Sequence, residues 1–181
     1  MSFLDGLIRY LRFRQVIKYI PRNSLVCDIG CGKDAYFLKK SANLIKYGFG
    51  FDRTIENYKD KKLELKRNEG FKNISLENES CDTITMMAVL EHLENPQETL
   101  KETYRILKKQ GGLISTTPTP LAKPLLEFLA FLNLIDKREI MDHKNYFWPK
   151  KIKTMLAQSG FKEIKSYYFE LGFNSLTIAE K

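Results

Sequence analysis

Leu25-Val26-Cys27-Asp28-Ile29-Gly30-Cys31-Gly32 is the stretch that decides the fold. An apolar run carrying one carboxylate leads into Gly-x-Gly, and the residues beyond read as a helix. That order describes a buried strand feeding a tight turn whose backbone can approach a ligand closely. A Cβ at either glycine would block the approach or forbid the dihedrals the turn needs.

A second apolar run, Tyr47-Gly48-Phe49-Gly50-Phe51-Asp52, ends in a carboxylate 20 residues beyond Gly32. In nucleotide-binding βαβ units an acid at that place accepts hydrogen bonds from ribose hydroxyls. The dinucleotide fingerprint Gly-x-Gly-x-x-Gly does not continue, because its third glycine is Ala35 here. That fingerprint also has no use for Asp28, so a nicotinamide-dependent dehydrogenase is disfavoured. The Asp28-x-Gly30-x-Gly32 form resembles motif I of the class I S-adenosylmethionine-dependent methyltransferases.

Two further motifs extend the resemblance. Cys81 to Leu93, ending in Leu90-Glu91-His92, is similar to the fourth strand and signature of the broad type 11 group of those enzymes. Leu107-Lys108-Lys109-Gln110-Gly111-Gly112-Leu113-Ile114 is similar to that group's turn into strand five, with Gln110 replacing the usual proline. The resemblance implies a doubly wound, seven-stranded, mostly parallel α/β sheet of Rossmann-like form. It also implies an antiparallel C-terminal hairpin and a helical lid over residues 118–147, after strand five. The cofactor it implies is S-adenosyl-L-methionine.

By the same resemblance, Gly30, Cys31 and Gly32 pass under the methionyl group. Asp28 either binds its ammonium or caps the turn. Asp52 holds the ribose hydroxyls, and Arg53 lies along the adenine or extends into solvent. Glu69 stands near the position of an adenine-binding acid, although Ile74-Ser75-Leu76 lacks the proline usual there. Met87 and Ala88 border the methionyl chain or serve as core. The two histidines, His92 and His143, are the candidate bases near neutral pH. For each there is a plainer alternative: His92 as an anchor for the next helix, His143 as an exposed loop residue.

The chain of 181 residues fits one methyltransferase domain with a real core. A net charge of +8, from 30 basic and 22 acidic residues, leaves RNA open as a partner, yet the basic residues are dispersed. No apolar run approaches the roughly 18 residues of a membrane span, and no signal-peptide pattern is evident. Three cysteines and two histidines show no zinc-ligand spacing, so no metal is expected and reduced thiols in a cytoplasmic protein are. The acceptor expected is a small molecule, a lipid-like intermediate or a glycan precursor. An RNA-modifying enzyme and a non-catalytic cofactor-binding protein are the alternatives.

Residues 1–22 read as an amphipathic helix ended by Pro21, and Asp34 to Ser41 as the first crossover helix. A short helix is expected after Arg53. Asn95, Pro96 and Glu98 form a capping-box start to a helix that Gly111 ends. Gly112 to Thr116 reads as strand five. Phe128 and Phe131, three residues apart on an apolar helix, are expected to line the acceptor pocket.

Overall fold

The computed structural model describes residues 3–181. Helix α1 (Phe3–Val16) runs through a 3-10 turn (Ile17–Tyr19) into Ile20 and Pro21. The chain then winds through β1 (Leu25–Ile29), α2 (Tyr36–Ser41), β2 (Tyr47–Asp52), β3 (Tyr58–Lys59), β4 (Leu63–Arg67) and β5 (Cys81–Met87). There follow α3 (Pro96–Ile106), β6 (Leu107–Pro118), α4 (Ala122–Phe131), α5 (Lys137–Met141), α6 (Pro149–Gln158), β7 (Lys162–Phe169) and β8 (Asn174–Glu180).

All strands join one sheet in the order β3-β4-β2-β1-β5-β6-β8-β7. The strands β4, β2, β1, β5 and β6 are parallel neighbours; β8 pairs antiparallel with both β6 and β7. The central strands are covered on both faces, which is why β1 is apolar almost throughout. Alternation along the strands divides the core in two. Cys27, Ile29, Ile84 and Met86 meet Leu100 of α3 and Leu156 of α6 on one face. Val26 and Ile114 meet Val16 of α1 and Leu38 of α2 on the other.

The sheet differs from the seven-stranded expectation by the short edge strand β3, antiparallel to β4. It occupies the stretch after Arg53 where a helix was expected. That stretch lacks apolar periodicity, and Asp60 builds a turn instead by accepting the N–H groups of Lys62 and Leu63, each at 2.7 Å. Helix α2 begins at Tyr36, later than expected, behind Ala35 at φ 47°. The residue at the third position of the dinucleotide fingerprint, Ala35, thus adopts a left-handed backbone although it is not glycine. Helix α3 ends at Ile106 and β6 begins at Leu107, paired with Cys81, so Gly111 lies within the strand. Asn95 caps nothing through its side chain; its amide donates to Glu98 at 2.6 Å.

The strand glycines of β2 are packing residues. A Cβ at Gly50 would come within 2.6 Å of Leu65 and 3.0 Å of Leu38, whereas one at Gly112 would meet nothing within 4 Å. Overpacking a core costs roughly 1–3 kcal/mol, and Gly50→Ala is expected to lower stability in urea denaturation by that amount. Gly112→Ala is the control, expected within about 0.5 kcal/mol of the parent. Equal stability of the two variants would show that α2 does not depend on the bare surface of β2.

Candidate functional site

Parallel register sets the site. Asp28 lies directly across from Thr85 on β5 and from Gly50 on β2. On the face shared with α1 and α2, Thr85 Oγ1 donates to Asp28 Oδ1 at 2.6 Å, and Asp28 is fully buried. Its Oδ2 has no hydrogen-bond partner. Burial, reinforced by the charge of Asp52 and opposed by the Thr85 hydroxyl, pushes the Asp28 carboxyl up to about 7.

The turn after β1 closes on β2. The N–H groups of Gly30 and Cys31 donate to the Phe51 carbonyl at 2.7 and 3.2 Å, and Gly32 N donates to Asp52 Oδ2 at 2.9 Å. Asp52 Oδ1 accepts from both the N–H and the hydroxyl of Thr54. Gly30 has φ 74°, and a Cβ there would strike Val89 Cγ2 at 2.3 Å, so only glycine fits this turn. Burial raises the Cys31 thiol well above its ordinary value, so it is a packing group and no thiolate.

These groups floor a cleft of about 1030 Å³ at the carboxyl ends of β1, β2 and β5. Asp28, Gly30, Cys31, Gly32, Asp52, Arg53, Met87, Ala88, His92 and His143 all line it. Glu69 does not: its exposed carboxylate pairs with Arg67 at 3.0 Å, and Gly70, Phe71 and Lys72 reach the cleft instead. The roof brings Ile8, Arg9 and Phe13 from α1, with Leu126, Ile135 and Ile140 from the segment after β6. Phe128 and Phe131 are 58% and 76% exposed, contrary to the expectation that they line the pocket. The small residues Ala122 and Ala130, buried four residues either side of Leu126, mark the inward face of α4. The phenylalanines lie off that stripe.

Arg53 extends to Asp142, with Nη2 to Oδ2 at 2.6 Å, across the mouth of the cleft. The same oxygen stands 3.3 Å from Nδ1 of His92 without hydrogen-bonding to it, so Asp142 faces His92 and not its sequence neighbour His143. A backbone clamp brings the histidines together: the Glu91 carbonyl accepts from Lys144 N and Asn145 N at 2.9 and 3.0 Å. Their rings meet edge to face at 4.8 Å, and His143 Nδ1 lies 2.9 Å from the Tyr146 hydroxyl. Burial depresses both imidazoles, His143 to about 4, which keeps them neutral near pH 7. Burial raises the Glu91 carboxyl to about 7, partly offset by Arg12, and the Tyr146 hydroxyl to about 12. Sequence reading missed Thr85, Glu91 and the Arg9–Asp34 ion pair at 2.7 Å that ties α1 to the glycine turn. Strand register alone could have pointed to Thr85.

A family profile described as "Methyltransferase domain" matches residues 4–166, and the chain belongs to that family. Demethylmenaquinone methyltransferase of Lactobacillus johnsonii is 27% identical over 165 residues, covering 78% of this chain and 66% of that protein. The tRNA U34 carboxymethyltransferase of Desulfotalea psychrophila is 25% identical over 118 residues, covering 59% of this chain and 37% of that protein. The chain thus spans less than two thirds of the length of either relative. A crystal structure of a SAM dependent methyltransferase from Archaeoglobus fulgidus shares the fold, with a TM-score of 0.72 at 20% identity. That match covers 96% of this chain and 93% of the other.

The cofactor of this family is S-adenosylmethionine, and the residues present fit it. The orphaned Asp28 Oδ2 faces a place for one cation, the glycine turn leaves room that a side chain would fill, and Asp52 keeps spare lone pairs beside the cleft.

Asp28 also makes a prediction about the ligand-free protein. Its carboxyl titrates near 7 folded against 3.8 as the reference value. Between those pH values the unfolded chain loses a proton that the folded chain keeps, so stability falls as pH rises and levels off above about 7. At about 1.4 kcal/mol per unit, the full penalty is roughly 4 kcal/mol. Asp28→Asn is therefore expected to be more stable than the parent at pH 8, with the gap closing toward pH 4. A melting-temperature difference that stays flat across pH 4–8 would contradict the buried-carboxyl assignment.

Proposed function

We propose that the protein is an S-adenosylmethionine-dependent methyltransferase acting on a small amphiphilic acceptor. The observation that carries this reading is the contrast between the two walls of the cleft. Its floor is built from carboxylates and open backbone, while its roof sets an apolar patch of Ile8, Phe13, Leu126, Ile135 and Ile140 among the charged side chains of Arg9, Arg12 and Asp136. A volume of about 1030 Å³ is at the top of the usual range for ligand pockets, room for a nucleoside cofactor and a modest second molecule.

Asp28 would take the cofactor's ammonium, the backbone of Gly30, Cys31 and Gly32 its methionyl chain, and Asp52 its ribose, with Met87 and Ala88 alongside. The bound cofactor supplies an electrophilic methyl group on sulfur. The chain's own work is then to hold the acceptor in line, desolvate it and keep water out, for which the roof's apolar patch is suited. His92 and His143 close the acceptor end, where the cleft turns from carboxylates to neutral imidazoles. The buried free thiols of Cys27, Cys31 and Cys81 support a reducing, cytoplasmic setting. No helix among the described residues is long and apolar enough to cross a membrane.

The tRNA-modifying relative and the charge of +8 favour a second reading, an RNA acceptor. Labelled methyl transfer decides between them. Label is expected in a solvent-extractable metabolite fraction; label on tRNA alone, with steeply salt-dependent binding, would overturn the small-molecule assignment.

Calorimetry with S-adenosylhomocysteine tests the floor. Losing a charge-assisted bond to ribose costs about 1.5–3 kcal/mol, so Asp52→Ala is expected to bind roughly ten- to hundredfold more weakly. Unchanged affinity in the folded variant would remove Asp52 from the site. Leu126→Ala tests the roof: a rise of about tenfold in acceptor KM is expected, with cofactor affinity unchanged. An unaltered KM would leave α4 without a part in acceptor binding.

A further inference from the structure

Three side chains from segments some fifty residues apart converge at the acceptor end of the cleft. One ligand atom each from Glu91, His92 and His143 lies within 4.8 Å of the others. We propose that these three residues bind a single divalent transition-metal ion of zinc-like preference, with its open coordination position facing the acceptor. The inference rests on the methyltransferase reading for its purpose, since it states how the acceptor's reacting oxygen would be held.

Glu91 supplies the first argument. Its side chain is fully buried and neither carboxylate oxygen has a hydrogen-bond partner among the described residues. Buried carboxylates are as a rule paired, hydrogen-bonded or on a metal, because an isolated one costs several kcal/mol. Arg12 approaches from α1, but its hydrogen bond goes to Asn174 at 3.5 Å and its Nε is itself unsatisfied. Arg12 thus favours the charged form of Glu91 without occupying its lone pairs.

The donor set supplies the second. Two imidazoles and one carboxylate are the ligands of catalytic zinc sites, which use three protein donors and leave a fourth position open. Magnesium and calcium prefer oxygen donors throughout, so the set selects against them.

The third is the arrangement behind the ligands. A metal-binding imidazole characteristically gives its other nitrogen to an outer partner that fixes the ring. His143 Nδ1 is 2.9 Å from the Tyr146 hydroxyl, which fixes that ring, while His92 Nδ1 makes no hydrogen bond among the described residues but faces Asp142 at 3.3 Å, a carboxylate that Arg53 holds at 2.6 Å. His143 therefore keeps Nε2 for an ion, and neither nitrogen of His92 is taken by a hydrogen bond among the described residues. Bonds of about 2.0–2.2 Å place tetrahedral donors roughly 3.3 Å apart, so loading draws the widest pair together through side-chain rotation.

Both histidines line the cleft while Glu91 stands behind them, so the open position points inward. A hydroxyl bound there would surrender its proton to solvent near neutral pH, leaving an oxygen lone pair free to attack. This points to a hydroxyl-bearing acceptor, such as a phenol or enol.

The test uses the full chain, stripped with chelator and titrated with Co²⁺ and Zn²⁺. One saturable site is expected, with cobalt absorption of low-symmetry nitrogen–oxygen coordination and displacement of Co²⁺ by Zn²⁺. Glu91→Gln and His143→Ala are each expected to weaken it at least tenfold. Circular dichroism and S-adenosylhomocysteine affinity, both expected to match the parent, show that the variants fold. Should a variant fail to fold, paramagnetic shifts of the ring protons of the two histidines on Co²⁺ binding to the parent locate the ion, and unshifted rings at saturation count against this site. No saturable binding, or equal binding by folded variants, overturns the proposal. Metal failure with intact cofactor binding leaves the methyltransferase reading standing; the reverse result strikes that reading and not the metal site.

Discussion

The central strand β1 has parallel neighbours on both sides, β2 and β5, and the rest of the site depends on that constraint. At this point the chain's winding reverses, and the crossovers leave β1 and β2 toward opposite ends of the sheet from β5 and β6. No helix can fill the gap at the carboxyl edge, so a crevice is left there by topology. Parallel register then brings Asp28, Thr85 and the glycine turn to one level. The consequence is a carboxyl group with one oxygen satisfied and one not, in surroundings that disfavour its charge. A cationic ligand group of the kind proposed for Asp28 would offset this cost on binding, and without one the site is a weak point of the protein.

Legibility followed the same constraint. Asp28, Gly30, Gly32 and Asp52 could be read from sequence because each rides on a strand end or its turn, where local pattern determines position. The parallel strands and the C-terminal hairpin were readable from the same local patterns. What failed depended on docking between distant segments. Glu69 sits in a loop whose register no periodicity sets, and it ended outside the cleft, beside Arg67. The inward face of α4 follows two small alanines, Ala122 and Ala130, rather than its phenylalanines. The stretch after Arg53 went to an edge strand because a side-chain turn at Asp60 outweighed weak helix propensity.

The histidines show the limit most clearly. Nothing in the spacing of His92 and His143 relates them, and their meeting rests on two backbone hydrogen bonds to the Glu91 carbonyl and one from Asn145 to the Leu93 carbonyl. Glu91 thereby acts twice: its carbonyl gathers the loop that carries His143, and its carboxylate stands unpartnered behind both rings. A residue that merely anchored a turn would have no reason to carry a charge into the core. A leucine-sized apolar residue would offer the same backbone and avoid the desolvation cost. The carboxylate is therefore better explained by something it binds than by what it supports.

The two ion pairs at the cleft's rim fit with this division. Arg9–Asp34 and Arg53–Asp142 join the roof to the floor, yet each has a partner at least a third exposed. Exposed pairs are worth about 0–1 kcal/mol, so they orient the roof without locking it. Apolar contacts through Val16, Ile20 and Ile135 hold the roof segments more firmly, each of these residues being nearly fully buried. The polar contacts at the rim are therefore cheaper to break than the apolar anchors. Arg53 carries a further cost if it moves, because Asp142 would lose its cation and stand beside His92 alone. Opening at that side is thus coupled to the electrostatic state of the imidazole cluster, whereas opening at Arg9 is not, and the two rims of one cleft differ in what their motion disturbs.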